Sequence, residues 1–281
     1  MYLEHRLIAM LDGLGFASCI ETRSGLERTT AKYSELMALA KGHMFSPKAL
    51  RGSPGQPESN FEFGQFVFDT LVLVSYPIDI KATYRFIFAT NLLMEMFFAE
   101  TFPLRGSIGI GDFSSTEDGQ IFLSNAFKRL RIDEERQQWA GCAILPEAEE
   151  IVVSYLLGNV TLDQLPKSAP LHRRAVPTKS QEAQSVRWCL NWSHFLAPAV
   201  VEAGLLYMAD DAAKQANTAQ YLADLARLSD DTQTLAPEFK PAKKLKIMKA
   251  RSDMRVKFED HNGNGVNPGC GYTIAAYEGN A

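Results

Sequence analysis

Residues 61–75 are rich in β-branched and aromatic side chains, and near the middle the carboxylate of Asp69 interrupts the apolar run. The segment reads as a β-hairpin with Asp69 at its bend. An apolar run over residues 7–11 ends in the same way, on Asp12-Gly13-Leu14-Gly15-Phe16, where two glycines force a turn against the strand end. Two carboxylates at two strand ends restrict the possible topologies, because in an antiparallel arrangement those ends are neighbours.

The rest of the chain supplies the layers around this pair. Apolar spacing predicts a helix over 26–40, a loop over 46–60 and a long helix over 78–102 closed by Pro103. A strand over 104–110 follows, then a short strand at 120–123, a helix over 125–139 and a strand over 142–145. The order β, α, β, β, α, β, short β, α, β is that of a ferredoxin-like α+β sandwich, an antiparallel sheet with helices on one face. Beyond it, 173–177 pairs with 186–192 as a second hairpin, and 202–228 is helical in pattern. The expected organisation is a domain over 1–192 and a helical, partly flexible C-terminal extension over 193–281.

Composition excludes several classes. At 46% apolar and 22% charged the chain is too apolar for disorder. Twenty-nine Lys and Arg against 33 Asp and Glu give a net charge of −4, which argues against nucleic acid or an anionic membrane as partner. No apolar run is long enough to span a bilayer and the first residues carry charges where a secretory signal is apolar, so a cytoplasmic location is expected. Cys19, Cys142, Cys189 and Cys270 are widely spaced and read as buried, reduced thiols. The five histidines lack metal-ligand spacing, and Trp139, Trp188 and Trp192 read as core. Asp260 to Gly265 resembles the start of a calcium loop, but position twelve is Gly271 instead of Glu, so a flexible tail is the better reading. The lysines of 240–249 have no interleaved aromatic series and read as a solvated surface.

The chemistry therefore rests on Asp12 and Asp69. Hard divalent cations take oxygen ligands, and two metals bridged by carboxylates and phosphates activate a hydroxyl and neutralise a pyrophosphate leaving group. Taken alone the pair is weak, since an Asp at a strand end is more often a turn residue.

The order of segments adds to it. Asp12, Gly15 and Phe16 match the first metal motif of class III nucleotide cyclases, and Phe68-Asp69-Thr70, opening the return strand of a hairpin, resembles the second. The likeness covers about residues 1–145. In detail the chain is most similar to the bacterial Pycsar pyrimidine cyclases, on three segments: 104–108, 122–126 running into 134–141, and 175–180 followed by Leu190-Asn191-Trp192. The resemblance implies a class III cyclase catalytic domain in which Asp12, the Gly13 backbone and Asp69 hold two Mg2+ or Mn2+ ions. Gly13, Leu14, Gly15 and Phe16 would hold the triphosphate. It further implies a head-to-tail homodimer with shared sites, UTP as substrate, cyclic UMP and pyrophosphate as products, a separate cyclic-nucleotide effector and a role in anti-phage defence.

Base selection follows the same comparison. Adenylate cyclases carry Lys, and guanylate cyclases Glu, four residues before the second metal Asp; here Gln65 stands there. A Gln amide donates and accepts together, which suits a pyrimidine edge without deciding between UTP and CTP. The family's helical Asn and Arg are replaced by Lys128 and Ile132, so Lys128 and Arg105 are the candidate catalytic cations, while Arg129 and Arg131 read as a solvated face. Two further readings stay open: a catalytically dead cyclase-like module that binds nucleotide and regulates a partner, and a different two-metal enzyme on the same fold.

Overall fold

The computed structural model describes residues 5–16, 20–44, 59–117, 119–157, 169–179, 185–193, 196, 198–208, 211–231, 256–259 and 273–276. Strand β1 (His5–Gly13) precedes helix α1 (Arg23–Met44), the hairpin β2 (Phe63–Val67) and β3 (Thr70–Val74), helix α2 (Ile80–Ala99) and the long strand β4 (Leu104–Ser115). Then come β5 (Phe122–Ser124), α3 (Phe127–Arg136), β6 (Cys142–Ile144), α4 (Pro146–Leu157), β7 (Leu171–Ala175) and β8 (Val186–Leu190). Helices α5 (Pro198–Tyr207) and α6 (Ala212–Asp231) precede a separate two-stranded ladder, β9 (Val256–Glu259) with β10 (Thr273–Ala276).

The main sheet runs β2-β3-β1-β4-β6-β8-β7, with β5 paired to the end of β4. Strand β3 lies between β1 and β2 and antiparallel to both, which is the split β-α-β-β-α-β arrangement expected from the sequence. Two features depart from that expectation. The β4–β6 step is parallel, pairing Gly106 with Cys142, so the sheet is mixed. Helices also cover both faces instead of one. Leu7, Ala9 and Leu11 pack with Leu36 of α1 and Phe86, Leu93 and Phe97 of α2, whereas Ile8 packs with Val72, Val74 and Leu130 of α3 on the other side. With both faces covered the central strands need no polar alternation.

Element ends follow local chemistry. Asp79 accepts a 2.6 Å hydrogen bond from the Ala82 amide and starts α2 later than expected, and Thr101, in the left-handed region at φ 58°, stops it earlier. Helix α3 ends at Arg136 because Gln137 turns extended, φ −71° and ψ 145°. The expected helix over 202–228 is two: Asp211 caps α6 by accepting from the Lys214 amide at 3.0 Å. Helix α4 was not expected, although Pro146 with Glu147 and Glu149 in its first turn is a helix-start pattern. Strands β7 and β8 pair Leu171 with Leu190, and the first strand begins and ends two residues earlier than expected. The β9–β10 ladder lies within the C-terminal extension, on either side of the calcium-loop-like residues. Most of the expected 46–60 loop, the lysines of 240–249, the calcium-loop-like residues 260–265, Cys19 and Cys270 lie outside the described residues.

The core is continuous into the C-terminal region: Tyr221 of α6 is fully buried beside Trp139 and Trp192. Cys142 and Cys189 are buried free thiols on adjacent strands, and burial pushes the Cys189 thiol up to about 12. At the β1–β4 ladder the backbones approach closely. A Cβ on Gly106 would lie 2.2 Å from the Met10 carbonyl oxygen.

Candidate active site

The last residues of β1 and the tip of the β2–β3 hairpin are joined by backbone. The Gly13 amide donates to the Asp69 carbonyl at 2.9 Å, and the Leu14 amide donates to the Pro103 carbonyl at 2.9 Å. A Cβ on Gly13 would meet the Phe102 ring at 2.5 Å, so glycine is required for this approach. Gly15 takes φ 79°, in the left-handed region, at the turn that the sequence reading placed on Gly13 and Gly15. Beneath them Phe16, Tyr33, Phe66 and Phe102 form an aromatic bed, with the Tyr33 ring centroid 5.3 Å from that of Phe66 and 5.7 Å from that of Phe16. The Tyr33 hydroxyl donates to the Phe68 carbonyl.

These bonds bear on the expected phosphate cradle of Gly13, Leu14, Gly15 and Phe16. Of the four residues, Gly13 and Leu14 already spend their amide N–H groups on Asp69 and Pro103. The side chains of Leu14 and Phe16 pack into the fold, Leu14 fully and Phe16 in part.

Asp12 opposes Thr70 on β3 and Arg105 on β4, so these three side chains share one sheet face, the face that α3 covers. Arg105 Nη2 lies 3.1 Å from Asp12 Oδ2 and 2.5 Å from Glu134 Oε1, and its Nη1 donates to the Gln137 carbonyl at 3.0 Å. Arg131 Nη1 lies 3.8 Å from Asp12 Oδ1 and 3.2 Å from Glu134 Oε2. Arg105 is 6% exposed. This candidate cation pairs with carboxylates of its own chain, Asp12 and Glu134.

The electrostatics follow from this packing. The Asp69 carboxyl is held above the ordinary aspartate range, first by burial and then by the charge of Asp12, with Arg131 and Arg105 opposing. Burial chiefly raises Glu134 to about 7, with Arg105 and Arg131 pulling the other way. Tyr33 is raised by burial and by the charge of Asp69. Asp12 and Glu134 are thus answered by two guanidinium groups, while Asp69 sits in a field that disfavours its own charge.

A divalent cation would relieve that field. Among the described residues no group of three or more His, Cys, Asp or Glu side chains forms a metal cage. Two carboxylates with backbone carbonyls suit a hard ion that keeps water and takes its remaining ligands from phosphate oxygens, as Mg2+ does. Asp12 and Asp69 have the donor chemistry that such an ion takes.

Gln65 lies on β2 opposite Val72, which in turn opposes Met10, so it shares the sheet face of Asp12. Its Oε1 faces the turn at Gly119, where an added Cβ would be 3.7 Å away. Lys128 is exposed on α3, one turn before Arg131. Sequence reasoning missed Arg131, Glu134 and Gln137 as neighbours of Asp12. The i, i+3 spacing of Arg131 and Glu134 put these two on one flank of α3, a signal that could have found them, whereas Gln137 lies past the helix end and carried no such signal. Arg129, read as surface, does pair with Glu147 at 3.1 Å on the exposed side.

No protein-family model matches the sequence, and no curated protein matches it. Among solved structures the chain is similar to the catalytic core of a rhodopsin-guanylyl cyclase with converted specificity, in complex with ATPαS. That likeness has 10% identity and a TM-score of 0.45, and covers 67% of this chain and 96% of that one. It is also similar to the adenylyl cyclase CyaB from P. aeruginosa, at 10% identity and a TM-score of 0.41, covering 66% of this chain and 93% of that one. Among the described residues no helix is long and apolar enough to cross a membrane.

Proposed function

We propose that the chain is a metal-dependent nucleotide cyclase that converts a pyrimidine nucleoside triphosphate, UTP in preference to CTP, into the cyclic monophosphate and pyrophosphate. The observation that carries this reading is the junction of the two carboxylate turns, Gly13 N–H on the Asp69 carbonyl with Asp12 one residue away. Two divalent cations, Mg2+ or Mn2+, held by Asp12, Asp69 and the Gly13 backbone, would supply activation of the 3′-hydroxyl and charge neutralisation at the leaving group. The 3′-oxygen forms the new bond to the α-phosphorus, the bond from that phosphorus to the β-phosphate bridging oxygen breaks, and the hydroxyl proton passes to solvent.

Residues of the chain carry the rest of the proposal. Arg131, beside Asp12 and about half exposed, can meet phosphate oxygens as charge develops. Gln65 is the candidate reader of the base edge. Lys128 is the candidate cation for the site of a second subunit in a head-to-tail homodimer, and its exposure supports that role. The product would be a second messenger for a separate effector in anti-phage defence. Pure protein incubated with each of the four nucleoside triphosphates and Mn2+, with products read by mass spectrometry, should give a cyclic pyrimidine nucleotide. Absence of any cyclic product with all four would overturn the proposal.

A second reading is favoured by one observation, the engagement of Asp12 by both Arg105 and Arg131. In that reading the fold binds a nucleotide without turnover and regulates a partner. Saturable nucleotide binding with no product in the same incubation would decide for it.

A further inference from the structure

We infer that Gln137 is a positioning residue for the Asp12 site and that helix α6 holds it in place through Trp139, so that a change in the C-terminal region is felt at Asp12. The inference rests on Asp12 as a metal ligand.

Gln137 is 1% exposed and is the first residue past the end of α3. Its Nε2 lies 2.9 Å from the Gly106 carbonyl, 2.8 Å from Ser107 Oγ and 2.9 Å from Asp133 Oδ2, and its Oε1 accepts from Trp139 Nε1 at 2.9 Å. Its carbonyl accepts from Arg105 Nη1 in a buried bond, while Nη2 of the same guanidinium faces Asp12. A guanidinium is a rigid planar fork. Fixing one arm on Gln137 therefore fixes the direction in which the other arm meets Asp12.

The segment after Gln137 is held from the opposite side. Asn217 Nδ2 donates to the Gln138 carbonyl at 2.7 Å, and the Ala140 amide donates to Thr218 Oγ1 at 2.8 Å. The Trp139 ring meets Tyr221 edge-on at 4.9 Å, and Arg174 lies over both rings, 5.2 Å from the first and 4.4 Å from the second. Tyr221 in turn donates to the Leu190 carbonyl at 2.9 Å. Three residues of one helix thus fix the backbone on which Gln137 turns. A chain of buried hydrogen bonds and packed rings is the kind of contiguous network that carries energetic coupling, and only a coupling measurement establishes it.

The test uses the full-length protein and the near-isosteric Thr218→Val, with Thr218→Ser as the conservative rescue. The first readout is the guanidinium NMR spectrum of 15N-arginine protein, in which Arg105→Lys assigns the Arg105 signals. The second is the Mn2+ dissociation constant without nucleotide, from the electron paramagnetic resonance of free Mn2+. Separate, slowly exchanging Arg105 Nη signals are expected in the parent. In Thr218→Val they should broaden or merge while Mn2+ binds about fivefold more weakly, and Thr218→Ser should restore both. Unchanged Arg105 signals, or lost signals with unchanged Mn2+ affinity, would overturn the inference. If the parent itself binds no Mn2+, the metal reading fails, and the Arg105 spectrum still decides whether α6 sets the guanidinium. Should Thr218→Val not fold, Asn217→Ala removes one bond to the same segment from a half-buried position and carries the same readouts.

Discussion

Asp12 and Arg105 stand directly opposite each other in the β1–β4 ladder, and their side chains, 13% and 8% exposed as side chains alone, meet in an ion pair of 3.1 Å. In a pair this sheltered from water the costly loss is that of Arg105, because Asp12 and Glu134 then share Arg131 alone as counter-charge. The pair therefore holds together the face on which the proposed chemistry depends.

Asp12→Asn and Asp69→Asn should each abolish cyclic product. Both preserve shape and a carbonyl acceptor, so the far-ultraviolet circular dichroism should be unchanged. Arg105→Met should behave differently, destabilising the protein by roughly 3 kcal/mol because the sheltered Asp12 and Glu134 carboxylates keep only the half-exposed Arg131 as counter-charge, as read in a urea titration. Substantial turnover in either Asn variant with unchanged metal dependence would remove the carboxylates from the mechanism.

Gln65→Lys should lower activity with pyrimidine triphosphates and admit ATP. Relative kcat/KM for the four nucleotides is the measurement. If the order of substrates is unaltered, Gln65 does not read the base, and its place beside Gly119 in this structure is its whole role.

Phe68 occupies the first position of the two-residue hairpin turn at φ 56°, a left-handed conformation that a bulky residue adopts only under strain, and its side chain is 86% exposed. Little packing is lost on removing it. Phe68→Gly should stabilise the protein by about 1 kcal/mol. For a chain of this size that raises the melting temperature by about 2 °C. A lower melting temperature would show that the ring makes a contact worth more than the strain.

Glu95, within α2, is 7% exposed, and burial pushes its carboxyl up to about 8. The folded-state value lies above that of the unfolded chain, so the protonated carboxyl supports the fold at low pH. That support is lost as pH rises from the ordinary glutamate range of about 4.3 toward 8. Glu95→Gln should match the parent near pH 4 and exceed it by up to roughly 3 kcal/mol at pH 7. Parallel pH profiles of stability for the two proteins would contradict the assignment.

The strand ends and both carboxylate turns were legible in the sequence because each is a local event: an apolar run, a glycine, an Asp. The neighbours of Asp12 were not. Arg131 and Glu134 look like a solvated helix flank until the long-range pairing of β1 with β4, 93 positions apart at Asp12 and Arg105, brings α3 over them. Helix α4 was announced by Pro146 and two acids, a signal that an apolar reading of β6 overran. The parallel β4–β6 step and the second helical layer are properties of the whole sheet, and hydrophobic spacing within one element does not encode them. Gln137 is the sharpest case, since nothing in its own neighbourhood marks it as the residue on which Arg105, Ser107 and Trp139 converge.

The absent side chain of Gly106 has a consequence for anyone who would redesign this protein. With the Met10 carbonyl 2.2 Å from where a methyl would stand, the position is set by two backbones and by no chemistry of its own. A saturation library at residue 106, sorted only for soluble expression, should return glycine almost alone. Grafting the Asp12 and Arg105 pair onto another sheet would therefore mean transplanting the two strands at their native separation. The carboxylate and the guanidinium are portable; the gap between their backbones is not.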